Sequence, residues 1–456
     1  MRRKMTIPAL LLWVPVLLCA CGDGDGASAL ATDVSAVYLG EGEALDGTED
    51  GTGNSPGETE GSGGTHGQEP EGPSGGAGSA PDENMSSNQE GTAAEGDGMF
   101  PVGSEGAASP GQNGASGEGA EGNGAEGTGL PEGAGGPAPS SEVSVTISAA
   151  GDVTMGNYVG QGYEVSFRQT YDQGAGDDYF FENVKDIFSA DDLTLVNLEG
   201  PLTYSEDFRE GQTYCISGDP EYVNILTAGS VEAVGMGNNH RLDYKEQGTA
   251  DTVAALEGAG ILYAYDGNYC MYEAKGIRIG IVSVNEVGQG AGVERYLQEG
   301  IAKLREEGAD LVLACCHWGI EREYYPEDYQ KSLGRKCIDW GYDLVIGHHP
   351  HVLQGIEEYQ GKFILYSLGN FCFGANRNPP DKDCMIFQQT FTFVDGVKQE
   401  DAQIRVIPCS VSSTPSRNDY KPTPAQGEES QRILDRINEF SLEMGVRLDS
   451  EGYLAD

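Results

Sequence analysis

The sequence predicts one large α/β domain that follows a long N-terminal segment with no fold of its own. From about residue 143 onward, short apolar strands alternate with helices, which is the pattern of βαβ units and a largely parallel sheet. Five of the six histidines also lie in three short groups, each just after an apolar run. Open α/β sheets keep their active sites at the carboxyl ends of their strands. The histidines are therefore expected to mark a functional site.

The first 21 residues have the pattern of an export signal. Three basic residues, at positions 2–4, precede an apolar run over 7–18 that is too short for a full membrane span. Residues 18–22, Leu-Cys-Ala-Cys-Gly, resemble a bacterial lipoprotein box in which Cys21 carries the lipid. We expect a lipoprotein signal peptide over 1–21 and a lipid-anchored protein on the extracellular face of the bacterial cell membrane. The alternative is an ordinary cleaved signal with an incidental cysteine.

Residues 22–142 are predicted to form a disordered acidic linker. They are rich in Gly, Glu and Ser, and they contain 23 Asp and Glu but no Lys or Arg. Such a segment cannot bury enough apolar surface to offset the entropy lost on ordering. As a flexible chain it would have an r.m.s. span of roughly 60 Å. This length suits a tether between an anchor and a folded domain.

The remaining elements follow from hydrophobic spacing and from helix-stop residues such as Gly260. Strands are predicted at 143–148, 193–199, 233–236, 277–284, 310–314, 344–346, 363–366, 386–394 and 402–411. Helices are predicted at 181–190, 219–229, 246–259, 294–307, 326–340 and 428–444. The strand-rich later part suggests a second sheet packed on the first. We assign the domain to 143–411 and a C-terminal extension with an amphipathic helix to 412–456.

The formal net charge of −46 restricts the partners. Nucleic acid is excluded as a partner, because phosphate binding needs clustered Lys and Arg. An anionic substrate would need metal ions to offset the field of an acidic protein.

Polar residues at the predicted strand ends have the chemistry of a metal site. Carboxylate, amide and imidazole ligands without thiolates suit one or two divalent ions such as Mn, Fe, Zn or Mg. A pair of such ions can clamp a reacting oxygen and activate water. Each element alone has a structural explanation, such as a turn at Asp152 or a packed interior histidine at His317, but the combination favours a site. Its members are Asp152, Asn197, Glu199, Asn238, Asn239, His240, His317 and the histidines of 348–351.

The same residues resemble a known family. The segments GDVTMG (151–156), ADDLTLVNLEGPLT (190–203), GNNHRLDY (237–244), HWGIE (317–321), GYDLVIGHHPHVLQGIE (341–357) and YSLGNFCFG (366–374) are similar to those of the CapA family of capsule and poly-γ-glutamate synthesis proteins. That family belongs to the calcineurin-like metallophosphoesterase group. The resemblance spans about residues 145–410. It implies a four-layer α/β/β/α sandwich with metals at the strand ends.

The resemblance also implies roles for individual residues. Asp152 matches the first metal-ligand aspartate, and it is a candidate catalytic residue together with His240, which matches an outer-sphere general acid. Glu199 falls at the position of the bridging carboxylate. The other implied metal ligands are Asn239, His317, His349 and His351, whereas His348 matches no assigned position.

Two departures from the group's pattern bear on metal binding. The group usually opens with Asp-x-His, but this chain has Thr154 in place of the histidine. Its bridging carboxylate is Glu199 rather than an aspartate. One of the two metal positions is therefore expected to be weaker than usual or absent.

The sequence is compatible with two functions. The first is a divalent-metal-dependent hydrolase or transferase acting on an anionic envelope polymer or its phosphorylated precursor in capsule or poly-γ-glutamate biosynthesis. The alternative is a non-catalytic accessory protein that binds nascent polymer or a membrane capsule-synthase complex during assembly and export. Lipidated Cys21 would hold either form at the membrane.

Overall fold

The computed structural model describes residues 140–400 and 403–455. The predicted signal peptide, the lipidation site at Cys21 and residues 22–139 of the predicted linker lie outside the described residues. Among the helices of the described part, none has the length and apolar character that crossing a membrane requires.

The strands, in chain order, are β1 (Glu142–Thr154), β2 (Asn157–Tyr158), β3 (Leu193–Leu198), β4 (Ile216–Ser217), β5 (Ala233–Gly235), β6 (Leu262–Ala264), β7 (Cys270–Ala274), β8 (Ile277–Asn285), β9 (Leu311–His317), β10 (Leu344–His348), β11 (Ile356–Tyr359), β12 (Lys362–Leu365), β13 (Asn370–Phe373), β14 (Asp383–Val394), β15 (Val397–Lys398), β16 (Gln403–Ser410) and β17 (Thr423–Pro424). The α-helices are α1 (Phe167–Thr170), α2 (Lys185–Phe188), α3 (Val223–Ala228), α4 (Lys245–Ala259), α5 (Val293–Glu306), α6 (Asp328–Trp340) and α7 (Gly427–Phe440). Short 3₁₀ turns at Asp177–Tyr179, Pro220–Tyr222 and Gly290–Gly292 and a π turn at Tyr171–Ala175 complete the set.

Two large sheets carry most of these strands. The nine-stranded sheet has the order β17-β16-β14-β1-β3-β5-β6, with β13 paired to β1 and β15 paired to β14. Its central strands β1, β3, β5 and β6 are parallel, whereas β14, β16 and β17 are antiparallel. The six-stranded sheet has the order β11-β12-β10-β9-β8-β7, with four parallel strands between two antiparallel edge strands.

The buried side chains form three apolar layers. The middle layer lies between the sheets, where Ile147 of β1 shares one cluster with Ile281 of β8 and Leu313 of β9. The outer face of the nine-stranded sheet packs against α3 and α4, and that of the six-stranded sheet packs against α5 and α6. Both faces of each sheet are covered, as parallel sheets require. The architecture is α/β/β/α, which confirms the predicted four-layer sandwich.

The amphipathic helix predicted near the C-terminus is α7. Its apolar residues Ile433, Leu434 and Ile437 join the middle layer. On its polar side, Arg432 donates to both carboxylate oxygens of Asp383 in β14, at 2.6 and 2.7 Å. The helix is therefore fixed to the nine-stranded sheet by apolar burial and by charged hydrogen bonds.

Candidate metal centre

Asp152 lies near the carboxyl end of β1, where three parallel strands meet. Its register partners are Asn197 in β3 and Asn370 in β13. The backbone N–H of Asp152 donates to the carbonyl of Gly369 at 3.0 Å. This close approach requires glycine at position 151, because a Cβ on Gly151 would lie 2.0 Å from the Gly369 oxygen. The strand thus delivers a fully buried carboxylate to the edge of the sheet.

The six-stranded sheet brings histidines to the same place. His317 ends β9 and His348 ends β10, and the two are register partners. The chain then turns through His349 and His351, whose φ angles are 95° and 58°. Such angles cost a non-glycine residue about 1–3 kcal/mol and persist only where the surroundings fix them. Two predicted ligands therefore lie in a strained turn.

The Asp152 carboxylate is surrounded by imidazole and amide groups. Its Oδ1 lies 3.2 Å from Nδ1 of His348, and its Oδ2 lies 3.0 Å from Nδ1 of His351. The side-chain amide of Asn197 donates to Oδ1 at 2.9 Å, and the backbone N–H of His349 donates to Oδ2 at 3.4 Å. Both sheets therefore contribute to the environment of one carboxylate.

Glu199, one residue past β3, places a second buried carboxylate beside the first. Its Oε1 lies 3.6 Å from Nε2 of His351. The same oxygen lies 3.8 Å from Nε2 of His240 and 3.8 Å from Nε2 of His317. It accepts no hydrogen bond within the described part of the chain. Every ion-pair partner of these two carboxylates in residues 140–400 and 403–455 is a histidine.

The pKa values of the site residues are shifted by burial and by the charges of their neighbours. Burial raises the pKa of the Glu199 carboxyl to about 7. Burial opposes charge on His351, but Glu199 and Asp152 outweigh it and raise the pKa of this ring to about 9. Burial would also raise the pKa of Asp152, yet the neighbouring imidazoles hold it well below its ordinary value. Burial lowers the pKa of His317 and, with the charge of His351, lowers that of His349 to about 3.

Asparagine side chains connect the ligand positions. Nε2 of His317 lies 2.8 Å from Oδ1 of Asn239, so these two predicted ligands contact each other directly. Asn197 lies 3.4 Å from the other ring nitrogen of His317 and accepts a hydrogen bond from Asn238 at 3.1 Å. These contacts hold the GNNH segment against the ends of both sheets.

His240 has the environment of a proton donor. Its Nδ1 lies 2.7 Å from Oδ2 of Asp243, which also accepts from the backbone N–H of Ile216 at 2.7 Å. Burial opposes charge on the His240 ring, but Asp243 and Glu199 outweigh it and raise the pKa of the ring. The opposite nitrogen faces Glu199. A protonated His240 is thus oriented toward the carboxylate cluster by a fixed partner.

The donor set fits a divalent cation. Ligand atoms of Asp152, Glu199 and His317 lie within 4.8 Å of one another, and all three residues are buried. Oxygen and imidazole donors without thiolate suit Mn, Fe, Zn or Mg. Glu199 has an oxygen with no hydrogen-bond donor, and no Lys or Arg among the described residues pairs with either carboxylate. A metal ion would supply the missing positive charge.

The structure brings the predicted metal ligands and the predicted catalytic residue His240 into one cluster. These are Asp152, Glu199, Asn239, His240, His317, His349 and His351. Three further residues at the cluster were not among the predicted ligands, namely Asn197, His348 and Asn370. Asn370 donates to the carbonyl of His351 at 3.0 Å, which fixes the strained turn. Thr154 stands where the group's histidine would be, and its hydroxyl accepts from the backbone N–H of Ala375 at 3.0 Å.

An open pocket of about 340 Å³ lies above the cluster. Glu199, His240 and His351 line it, together with Arg322 and Arg377. Further lining residues include Tyr158, Tyr214, Glu321, Phe373 and Asp381. The pocket therefore combines the carboxylate–histidine cluster with basic, acidic and aromatic residues.

A four-layer α/β/β/α sandwich with a carboxylate–histidine cluster at its strand ends defines a metallophosphoesterase-like protein. Residues 146–375, half of the chain, match the family described as bacterial capsule synthesis protein PGA_cap. The chain belongs to this family.

Three named proteins that are similar to this chain support its membership of the family. The chain is 30% identical over 253 residues to the "PGA biosynthesis protein CapA" of Bacillus subtilis (strain 168), covering 51% of this chain and 64% of that protein. It is 29% identical over 255 residues to the "Capsule biosynthesis protein CapA" of Bacillus anthracis, covering 50% and 60%. It is 29% identical over 211 residues to the "Probable polyglutamine synthesis accessory protein MT0602" of Mycobacterium tuberculosis (strain CDC 1551 / Oshkosh), covering 40% and 56%. The chain thus spans less than two thirds of each of these relatives.

Proposed function

We propose that this protein acts in bacterial capsule or poly-γ-glutamate biosynthesis as a divalent-metal-dependent hydrolase or transferase. Its substrate would be an anionic envelope polymer or the phosphorylated precursor of one. The process is inferred from the names of the two Bacillus relatives. The chemistry is inferred from one observation: two buried carboxylates, Asp152 and Glu199, whose ion-pair partners among the described residues are all histidines, lie beneath an open pocket.

Each residue of the cluster would have a distinct role in such a reaction. Asp152, Glu199, Asn239, His317, His349 and His351 would hold the metal. When bound, a divalent ion supplies Lewis acidity toward the scissile group. His240 would protonate the leaving group, and Asp243 keeps its ring oriented and helps to raise its pKa. The two sheets fix all of these side chains before substrate arrives, which lowers the entropic cost of the reaction.

Arg322 and Arg377 would bind the anionic groups of the substrate. Arg377 donates to the carbonyl of Gly162 at 2.5 Å, while its Nε is buried without a hydrogen-bond partner in the described part of the chain. Arginine is suited to carboxylate and phosphate because its donors form a planar fork. Glu321 and Asp381 also line the pocket, and Asp381 is paired with Arg436. With a metal ion bound at the buried carboxylates, the two arginines would favour an anionic ligand.

The test is a joint measurement of metal content and turnover on the purified full-length chain. The substrates are a chromogenic phosphodiester and poly-γ-glutamate, the latter followed by chain length. We expect bound divalent metal, and loss of turnover at unchanged folding in Asp152→Ala, His240→Ala and His349→Ala. Full activity in all three variants would contradict an enzymatic role.

A matched pair of arginine variants tests recognition of the anion. Arg377→Ala should raise KM for the anionic polymer more than it lowers kcat, because the arginine contacts substrate away from the reacting bond. Arg295→Ala is the control, since Arg295 is exposed on α5 and stacks on Tyr296. Equal KM values in the two variants would argue against the proposed contact.

The name of the mycobacterial relative favours a second candidate, a non-catalytic accessory role. In that role the site would retain nascent polymer, or support docking to a membrane synthase complex, without turnover. Because both the protein and polyglutamate are acidic, direct retention would depend on metal ions bridging carboxylates. Retention of poly-γ-glutamate on the protein after complete chelation would contradict that bridging.

Anchoring completes the proposal. The protein would stand on the extracellular face of the cell membrane through a lipid on Cys21, with residues 22–142 as a tether. Metabolic labelling with an alkyne fatty acid should label the wild type but not Cys21→Ala, and the variant should move from the membrane fraction to the soluble fraction. An unlabelled wild type, or a variant that stays at the membrane, would exclude this anchor.

A further inference from the structure

Glu321 lies at the metal centre although it belongs to no predicted strand end. It is in the loop that follows β9, four residues after His317, and it lines the same pocket as His240 and His351. A carboxylate oxygen of Glu321 and ring nitrogens of His349 and His351 lie within 4.8 Å of one another. This group shares no residue with the cluster of Asp152, Glu199 and His317.

One histidine nitrogen in this second group lacks a partner. His349 is 5% exposed, and its Nδ1 is buried without a hydrogen bond in the described part of the chain. His351 directs its Nδ1 at Oδ2 of Asp152, at 3.0 Å, so this residue lies between the two groups. Buried polar atoms are nearly always satisfied in native proteins, so the orphaned nitrogen of His349, in a group that contains a carboxylate, indicates a bound cation.

The backbone holds Glu321 next to these histidines. The N–H of Arg322 donates to the carbonyl of Pro350 at 2.8 Å, and Pro350 lies between His349 and His351. Arg322 has a φ of 67°, so a third non-glycine residue with positive φ occurs at this contact. Strained backbone of this kind collects at ligand-binding sites, where the surrounding structure maintains it.

We infer that Glu321 is a metal ligand, and that with His349 and His351 it holds a second divalent cation beside the one at Asp152, Glu199 and His317. In this arrangement Glu321 supplies the protein donor that a histidine at position 154 would otherwise provide. Thr154 has another task, since its hydroxyl and its carbonyl both accept backbone hydrogen bonds from residues 374–375. The mixed oxygen and imidazole donors suit Mn²⁺, Fe²⁺ or Zn²⁺. The inference rests on the proposed metal dependence and adds the number of ions and the identity of one ligand.

Manganese binding to the full-length chain tests this assignment. Bound Mn²⁺ per chain is counted by equilibrium dialysis and elemental analysis, and electron paramagnetic resonance reports whether two ions are exchange-coupled. The variants are Glu321→Gln and, as the matched control, Glu323→Gln. Glu323 is exposed in the same loop and belongs to neither ligand group.

We expect two coupled ions in the wild type and in Glu323→Gln. In Glu321→Gln one equivalent should be lost at the same free Mn²⁺, with affinity for it reduced about tenfold or more, and the remaining ion should give an uncoupled signal. Two coupled ions in Glu321→Gln would overturn the assignment of this ligand. A wild type that binds one ion would overturn the second site but leave the proposed function standing, whereas a wild type that binds none would overturn both.

Discussion

The response of folding stability to metal is the most direct consequence of the buried carboxylates. Glu199 is 1% exposed, and its Oε1 has only imidazoles within ion-pair distance among the described residues. Glu199→Gln preserves the shape of the side chain and an oxygen that can accept from Asn197, which lies 3.4 Å from Oε2. It removes the charge that would bind a cation. The metal-free variant should therefore fold with a stability close to that of the metal-free wild type.

The magnitude follows from linkage between binding and folding. An ion present at a hundred times its Kd stabilises the folded state by about 2.7 kcal/mol when it does not bind the unfolded chain. For a folded part of about 300 residues, with an unfolding entropy of about 2.1 cal/mol/K per residue, 1 kcal/mol corresponds to about 1.5 °C in Tm. Wild-type Tm should thus rise by about 4 °C or more on addition of Mn²⁺. Glu199→Gln should rise by less than about 2 °C at the same Mn²⁺ concentration, because its Kd is weakened.

Differential scanning calorimetry with chelator and with Mn²⁺ measures both values. Glu358→Gln serves as the control, since Glu358 is exposed on β11 and lies outside both ligand groups. The reasoning is refuted if wild-type Tm is unchanged at saturating metal, or if Glu199→Gln responds as strongly as the wild type. If metal-free Glu199→Gln is several kcal/mol less stable than the metal-free wild type, the Glu199 carboxylate is well stabilised by its protein neighbours alone. That result would refute the premise that this charge needs a metal ion.

Three further predictions concern the site and its support. Burial favours the neutral form of Asp383, but the two arginines of α7 outweigh this effect and lower the pKa of the carboxyl. The Asp383 carboxylate therefore contributes its full stabilisation above the ordinary pKa of 3.8, and this contribution is lost as the pH falls through the lower pKa of the folded state. The Tm difference between wild type and Asp383→Asn should accordingly shrink on acidification from pH 7. An undiminished difference at pH 2 would contradict this. His240→Asn should lower kcat by about 10²–10⁴ with unchanged metal content, and the loss should be smaller for substrates with a good leaving group, as steady-state kinetics on a substrate series would show. Gly151→Ala places a Cβ 2.0 Å from the Gly369 carbonyl and should lower the free energy of unfolding by about 1–3 kcal/mol and weaken Mn²⁺ binding; a variant with wild-type urea midpoint and affinity would show that the close approach is dispensable.

Much of the fold could be predicted because its strands are buried on both faces. β9 is apolar and buried along its whole length before it reaches His317, and continuous apolar runs of this kind are typical of covered parallel strands. Short edge elements were not predicted. β13 has four residues and pairs with the end of β1 across a register shift. Its existence depends on that tertiary pairing rather than on local spacing.

One predicted helix is much shorter in the structure. Residues 181–190 have apolar spacing that suggested a helix, but the α-helix covers only Lys185–Phe188. Phe181 and Phe188 are both buried and pack near Phe371. The apolar spacing in this segment reflects the burial of aromatic rings in the outer layer. A turn can bury these rings as well as a helix can.

The place of His348 could have been found from strand alternation. Leu344 and Ile346 of β10 point into the layer between the sheets, and a period of two puts His348 on the same face. That face is directed at β1, and His348 indeed lies 3.2 Å from Asp152. Family motifs alone gave it no role, whereas the geometry of a strand does.

Glu321 could not be identified in this way, and the reason is physical. It is an exposed loop residue, so neither burial nor periodicity marks it. Its position depends on a positive φ at Arg322 and on the hydrogen bond from that residue to Pro350, and neither is encoded in local spacing. The lack of a histidine at position 154 is visible in the sequence and suggested a weakened site. A donor from a different loop can compensate for it only because the parallel strands of two sheets end at one place.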